Sequence, residues 1–406
     1  MLKSRTETVA ALFVLAVVLV LAAILGLWGY MSATSSPLHP TPQDVASVTH
    51  AVPSPQWAGA VEQGRQIVRA VLSEQNLPGL SVAVGAGGDI VWAEGFGLAD
   101  LETRVKVTPE TRFRIGTASM VLTSAAVGLL LEKGRLNLED VIQMHVPEFP
   151  EKQWPVTLRQ LMGHMAGVAN DGGDEGPLFT ERCARPVDAL QFLSGHEREL
   201  LFEPGTQFRY SSYGWIIVSA AIEKAAGEPF LTFMQKQIFE PLGMTQTHAD
   251  SSTKAVGDRA TSYFPRFAAD PRYGPDQNRD LDYSCYAGAS VFVSTPSDLV
   301  RFAMAINSGT LLQPATVQLL QTPQRLRSGQ ETGYGLGWDL ERVALAGGQT
   351  RTIGHDGDLL SGRLASLTTF PERGIVVSVT SNISYTDTSA VALKIGQAFV
   401  EKAGRP

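Results

Sequence analysis

Val9 to Tyr30 is a run of 22 residues without a charge, and it constrains the chain more than any other feature. Dominated by Val, Leu and Ala, such a run is long enough as a helix to cross about 30 Å of hydrocarbon. Residues 1–31 therefore stand apart from whatever core the rest of the chain builds. The rival reading is a cleaved signal peptide, whose apolar region usually runs about 7 to 15 residues and ends at small residues. This run is longer and carries Trp28 and Tyr30 at its outer end, where amphipathic rings favour a membrane interface. It reads as an uncleaved single-pass anchor that meets the membrane through residues 9–30. Lys3 and Arg5 precede it, so the positive-inside rule keeps the N-terminus cytoplasmic and places everything after Met31 on the periplasmic or extracellular side.

Residues 32–56 carry Pro37, Pro40, Pro42, Pro53 and Pro55 among Ser, Thr and Ala. That composition favours extended chain, and the segment reads as a Pro-rich linker. Beyond it, the 44% apolar composition of the chain suffices for a full-sized core. A formal charge of -7, with no Lys/Arg-rich block, argues against nucleic acid as a partner. The two cysteines, Cys183 and Cys285, can pair in an oxidising compartment. Spacing alone does not choose between a bridge and two buried thiols.

Local patterns predict an α+β fold. Apolar spacing predicts a helix over Ala60 to Ser73, followed by strands at Leu80 to Val84 and Ile90 to Ala93 around Gly85-Ala86-Gly87-Gly88. A second hairpin is expected from Leu364 to Phe370 and Ile375 to Thr380, then a helix from about Ser389 to Lys402. The two hairpins suggest one antiparallel sheet assembled from residues 57–145 and 285–402 and flanked by helices. Between them, helical spacing at Thr157 to Met165, Val187 to Leu193, Gly214 to Ala226 and Phe230 to Phe239 predicts an all-α insertion over 146–284. Asp250 to Asp282 reads as loop.

The segment with chemistry is Phe113-Arg114-Ile115-Gly116-Thr117-Ala118-Ser119-Met120, which ends a strand and opens an apolar helix closed by Gly134. A hydroxyl at such a helix start is favoured as a developing alkoxide by backbone N–H groups and the helix dipole. Four further stretches are Thr157 to Gly167, Glu203-Pro204-Gly205-Thr206 through Tyr213-Gly214, Tyr334-Gly335-Leu336-Gly337-Trp338, and His355-Asp356-Gly357. In order and spacing, residues 57–402 resemble the serine β-lactamase and penicillin-binding-protein family, closest to its class C and esterase-like branch. Val146 to Lys152 and Tyr210-Ser211-Ser212 further resemble its mitochondrial lactamase-like members.

The resemblance implies a β-lactamase/transpeptidase-like fold, no cofactor, and a cleft for a β-lactam, ester or peptidoglycan-like peptide. It matches the family's Tyr-x-Asn to Tyr210 and Ser212, making Tyr210 a candidate general base and Ser212 a substrate contact. It matches Lys-Thr-Gly to His355-Asp356-Gly357, with His355 orienting substrate, Gly357 at the cleft edge, and the Asp358 N–H joining that of Thr117 as oxyanion donors. The nucleophile motif departs: the family's Ser matches Thr117 and its Lys matches Met120. A shifted register starting at Ser119 also lacks a Lys and points elsewhere on the helix. The histidines show no metal-ligand spacing, and His164 reads as packing or helix termination.

Two functions follow from the same cleft. One is a pseudoenzyme that binds a peptide, an ester-like ligand or a protein partner without turnover. The other is a weak hydrolase with Thr117 as nucleophile and Tyr210 and His355 moving the proton. The anchor carries its own test: protease added to intact spheroplasts is expected to digest the domain, and full protection would refute the topology.

Overall fold

The computed structural model describes residues 2–170, 177–193, 199–250, 259–267, 269–278, 281–345, 348–359 and 362–403. In chain order, the first half comprises α1 (Leu2–Thr34), β1 (Ser47–Val48), α2 (Ala58–Glu74), β2 (Gly79–Ala86), β3 (Asp89–Gly97), β4 (Phe113–Arg114), α3 (Ser119–Glu132), α4 (Leu158–Met162), α5 (Pro177–Thr180) and α6 (Leu190–Leu193). The second half comprises α7 (Ser212–Ala226), α8 (Phe230–Met234), β5 (His248–Ala249), β6 (Tyr263–Pro265), β7 (Pro275–Gln277), β8 (Phe292–Ser294), α9 (Pro296–Asn307), α10 (Pro314–Leu320), β9 (Asp339–Leu345), β10 (Gly348–Leu359), β11 (Gly362–Phe370), β12 (Ile375–Ser381) and α11 (Thr388–Ala403).

The expected sheet is present, antiparallel throughout, in the order β1-β3-β2-β12-β11-β10-β9. Its centre is the pairing of β2 with β12, from Leu80 opposite Ser381 to Ala86 opposite Ile375. Every residue of both strands is buried, which is why Ile375-Val376-Val377 is a continuous apolar run instead of an alternating one. The outer strand β9 carries Asp339, Glu341 and Arg342, and such charges blunt an open sheet edge. One face is covered by α2 and α11, where Val68, Leu72, Val377, Ile395 and Phe399 share a core. Trp57 and Trp92 stack on Phe399 with ring centroids 5.5 and 6.1 Å away.

The other face rests on α3 and α9. Its core runs without a break from Ala83 and Leu367 on the sheet through Val121 and Ala125 to Trp215, Ile216 and Phe233. The helical region thus shares one core with this face of the sheet. It is also less purely helical than its spacing predicts. β5 pairs with β8, and β6 and β7 form a small hairpin inside the 250–282 stretch expected to be loop. Three-residue strands with Pro265 and Pro275 at their ends carry too little alternation to be read from sequence. The helix expected over Thr157 to Met165 stops at Met162. Thr157 caps its start, accepting from the Gln160 N–H, and beyond Gly163 the chain turns at His164, whose φ is 57°. The helix expected over Phe230 to Phe239 changes to a wider π turn from Gln235.

Within the expected linker, residues 36–48 lie against the domain, while most of 49–56 is exposed. The Leu38 N–H donates to Asn76 Oδ1 at 2.7 Å, Val45 is buried, and β1 extends the sheet by pairing with β3 at Gly95 and Phe96. A Pro-rich composition excludes long regular elements, but it does not prevent single apolar side chains from finding a groove. α1 is the one helix among the described residues long and apolar enough to cross a membrane.

Cys183 and Cys285 form a disulfide that closes a loop across a sequence separation of 102. It ties the segment between α5 and α6 to the turn before β8. A cross-link over so long a loop stabilises by about 2 to 4 kcal/mol, chiefly by constraining the unfolded chain. Cys183→Ser is expected to lower the urea midpoint by a corresponding amount, and dithiothreitol should do the same to the wild type while leaving Cys183→Ser unchanged.

Candidate active site

β4 delivers the chain to a tight turn, Gly116–Ala118, from which α3 continues at Ser119. Thr117 therefore lies inside this turn, two residues before the α-helix that the sequence pattern places it on. Gly116 has φ 51°, and a Cβ there would stand 2.3 Å from Asp358 O. On the opposing strand, a Cβ at Gly357 would stand 2.1 Å from Ile115 O. Only glycine at both positions lets β10 press against the turn. A bulge between Gly357 and Asp358 then re-aims the strand.

That contact sets the Thr117 hydroxyl. The Asp358 N–H donates to Thr117 Oγ1 at 2.9 Å, and the hydroxyl donates to Asp356 O at 3.2 Å. The expected oxyanion donor is thus engaged by the candidate nucleophile itself. Met120 is fully buried, and its sulfur accepts the Tyr210 hydroxyl at 3.3 Å. Burial, only partly offset by hydrogen bonding to Thr117 and reinforced by Asp339, Asp358 and Asp356, holds the Tyr210 phenol well above its ordinary value. Tyr210 is therefore a proton donor here. The base role expected for it lacks the ammonium that would ionise it.

His355 is buried on β10, with Nε2 2.9 Å from the Tyr334 hydroxyl and Nδ1 turned to Asp356 O. Its ring centroid lies 6.3 Å from that of Tyr210, so Thr117, Met120, Tyr210 and His355 do converge. Gly357 and Asp358 form the strand side of the cluster. Ser212 opens α7, and its backbone N–H donates to Asn170 Oδ1 at 3.0 Å. Among the described residues no hydrogen bond joins its hydroxyl to Thr117, Tyr210 or His355.

The cluster also contains His164, read from the sequence as packing or helix termination, and Tyr334, to which the motif reading gave no role. The His164 ring lies 4.2 Å from Tyr210 and 4.8 Å from Tyr334, centroid to centroid. Its Nδ1 accepts the Ser211 N–H at 3.1 Å, leaving Nε2 to carry the proton, with no hydrogen-bond partner among the described residues. Burial, with His355 close by, holds this imidazole well below its ordinary value and neutral. Tyr334 is brought in because its segment is pinned to α3: Trp338 Nε1 donates to Ser124 Oγ at 3.1 Å, and Ser124 Oγ donates to Leu336 O at 2.6 Å. Both residues sit in stretches singled out by order and spacing, but only their contacts show that they form the floor beneath Tyr210.

Asp356 completes the electrostatics. Burial pushes its carboxyl up to about 6, against the opposing pull of Ser366 and Arg363. Ser366 Oγ donates to it at 2.5 Å, and Arg363 Nη2 lies 3.1 Å from Oδ2. A carboxyl whose pKa is raised on folding binds its proton more tightly in the native state. Its destabilising effect is absent at low pH, grows as pH rises through the interval up to about 6, and is complete above it. Relative to wild type, Asp356→Asn is expected to gain about 1 to 3 kcal/mol between pH 4 and pH 8. Urea unfolding at both pH values measures this, and an equal difference at both would show that the carboxyl is not perturbed.

The likeness to known proteins agrees with this geometry. The model of the Beta-lactamase family matches residues 64–401. The chain is 26% identical to the serine beta-lactamase-like protein LACTB, mitochondrial, of Homo sapiens, over 89% of this chain and 84% of that one. It is 27% identical to penicillin-binding protein 4* of Bacillus subtilis, over 72% and 65%. Among solved structures, the octameric penicillin-binding protein homologue from Pyrococcus abyssi superposes with TM-score 0.71 at 23% identity, covering 85% of this chain and 78% of that one. EstCE1, a hydrolase with promiscuous acyltransferase activity, superposes with TM-score 0.67 at 22% identity, covering 84% and 98%. With the sheet, the helix start and the opposing strand all in the family's arrangement, the chain belongs to the Beta-lactamase family.

Proposed function

We propose that this protein is a membrane-anchored, extracytoplasmic member of the family that binds a peptide- or ester-like ligand in its cleft without turning it over. One observation carries the reading: the Tyr210 hydroxyl donates to Met120 sulfur at 3.3 Å. A thioether stands where acyl transfer of this kind needs an ammonium, and it accepts a proton bond where a base would have to take the proton away. A positioned base is worth about 10² to 10⁴ in rate, and groups that act as a unit fail together. Thr117 adds a methyl that stiffens χ1 beside the attack line.

The backbone of the site nevertheless keeps its shape. The Asp358 N–H, 2.9 Å from Thr117 Oγ1, is positioned to meet a ligand carbonyl oxygen that displaces the hydroxyl. Ligand capture can therefore outlive catalysis. The anchor reading is supported by the uncharged length of α1 and by Lys3 and Arg5 before it. The β-lactam, ester and peptide names on relatives set the class of ligand to try first.

Thr117→Ser, Met120→Lys and the double variant test the proposal with a chromogenic cephalosporin and a p-nitrophenyl ester. Wild type and both single variants should stay close to background hydrolysis, and the double variant should rise at least about 10²-fold above that background. Wild-type turnover equal to that of the double variant would overturn the pseudoenzyme reading. The buried Met120→Lys change is expected to cost some thermal stability, since an ammonium there must be desolvated.

A further inference from the structure

The outer end of α1 is fastened to the domain. The Tyr30 ring lies edge-on to Phe267 with centroids 6.3 Å apart. Arg266 donates through Nη1 to Thr34 O and through Nη2 to Thr34 Oγ1, each at 3.2 Å. α1 has no basic residue in its own last turn. A cation is favourable at a helix C-terminus, where unpaired carbonyls and the helix dipole concentrate negative charge. Arg266 supplies that cation from the domain, its guanidinium lying 5.0 Å over the Phe267 ring.

A second fastening follows immediately. Asn76, at φ 53°, accepts the Leu38 N–H at 2.7 Å and donates to Ser36 O at 3.2 Å. Ser73 Oγ donates to His39 O at 2.9 Å. The chain from Thr34 to His39 is thus held on both sides, and the domain has little freedom to swing about the anchor.

Helical rise converts these contacts into depth. Tyr30 lies near the outer end of the apolar run and Thr34 at its last residue, four residues further out and about 6 Å along the axis. Side chains that touch Tyr30 stand at the edge of the hydrocarbon, and those that touch Thr34 stand among headgroups, the zones favoured by aromatic rings and by cations respectively. Phe267 does the first and Arg266 the second. Arg272, exposed and paired with Asp270 at 2.6 Å, lies on the same turn.

We propose that this turn is a membrane-contacting surface: the domain sits on the outer leaflet with Phe267 in the interface beside Trp28 and Tyr30, and Arg266 at the level of the lipid phosphates. The proposal rests on the reading of residues 9–30 as an uncleaved span. Its partner is the bilayer that holds α1, and its consequence is a single orientation of the cleft relative to that bilayer.

The test uses the full chain in nanodiscs of phosphatidylcholine and phosphatidylglycerol. Because the native cysteines are bonded to each other, a nitroxide can be placed singly at Phe267→Cys or at Leu19→Cys, mid-way along the apolar run. Power saturation with oxygen and with a nickel chelate then reports depth. The oxygen-to-nickel accessibility ratio at 267 should be several-fold above that of free label in buffer and below that at 19. A water-like value at 267 with a lipid-like value at 19 overturns the seating and leaves the span intact. Water-like values at both sites overturn the span itself, and the seating with it. Reconstitution at one chain per nanodisc should leave the value at 267 unchanged; a fall toward water relative to discs holding several chains would assign the surface to a second copy and refute the proposal. Should the label at 267 disturb the turn, Tyr30→Cys with Phe267→Cys should cross-link rapidly under mild oxidation in the same nanodiscs, and no cross-link would count against the docking.

Discussion

The pairing of β2 with β12 carries the rest of the molecule. Seven residue pairs, from Leu80 opposite Ser381 to Ala86 opposite Ile375, join the two ends of the folded region. Such a contact orders everything between its strands and brings high contact order with it. What stabilises it is burial on both faces, by α2 and α11 on one side and α3 and α9 on the other. Once it is in place, β11 and β10 follow by antiparallel neighbours, and β10 reaches the Ile115-Gly116 turn from the opposite direction. The candidate site is the seam between these two approaches.

At that seam the backbone brings Thr117 against the Asp358 N–H, while burial and nearby carboxylates oppose ionisation of Tyr210. Gly116 and Gly357 allow backbone contact that no side chain would permit, and the Asp358 N–H still points at the hydroxyl of residue 117. Around it, however, stand Asp339, Asp356 and Asp358, and the position three residues along from Thr117 offers a sulfur. Carboxylates oppose the formation of a phenolate or an alkoxide, whereas an ammonium would favour it. The Tyr210 proton is accordingly held, and the neutral rings of His164 and Tyr334 pack beneath it.

The same economy of contact governs the outer end of α1. A proline-rich linker left free would let the domain sample many orientations above a membrane. Instead Val45 is buried, β1 joins the sheet, and Arg266 caps the helix. The outer end of α1 is thus held against the domain by a handful of polar contacts around Asn76 and Arg266.

The sequence by itself determined the long apolar N-terminal helix, both hairpins of the sheet, the helices at its two ends, and the place of Thr117 and Met120 at the start of α3. These are local or pattern properties: an uncharged run, period-two and 3.6-residue spacing, and motif stretches in fixed order. It could not show that Cys183 and Cys285 are bonded, since a bridge depends on Cα separation. Nor could it show the docking of residues 36–48, where isolated side chains such as Val45 follow no period. The hairpin of β6 and β7 escaped for want of length. Tyr210 is the sharpest case, for its motif position suggests a base while its surroundings make it a donor. Protonation is decided by burial and by charges brought from β9 and β10, far away in sequence, and only the tertiary structure sets those distances.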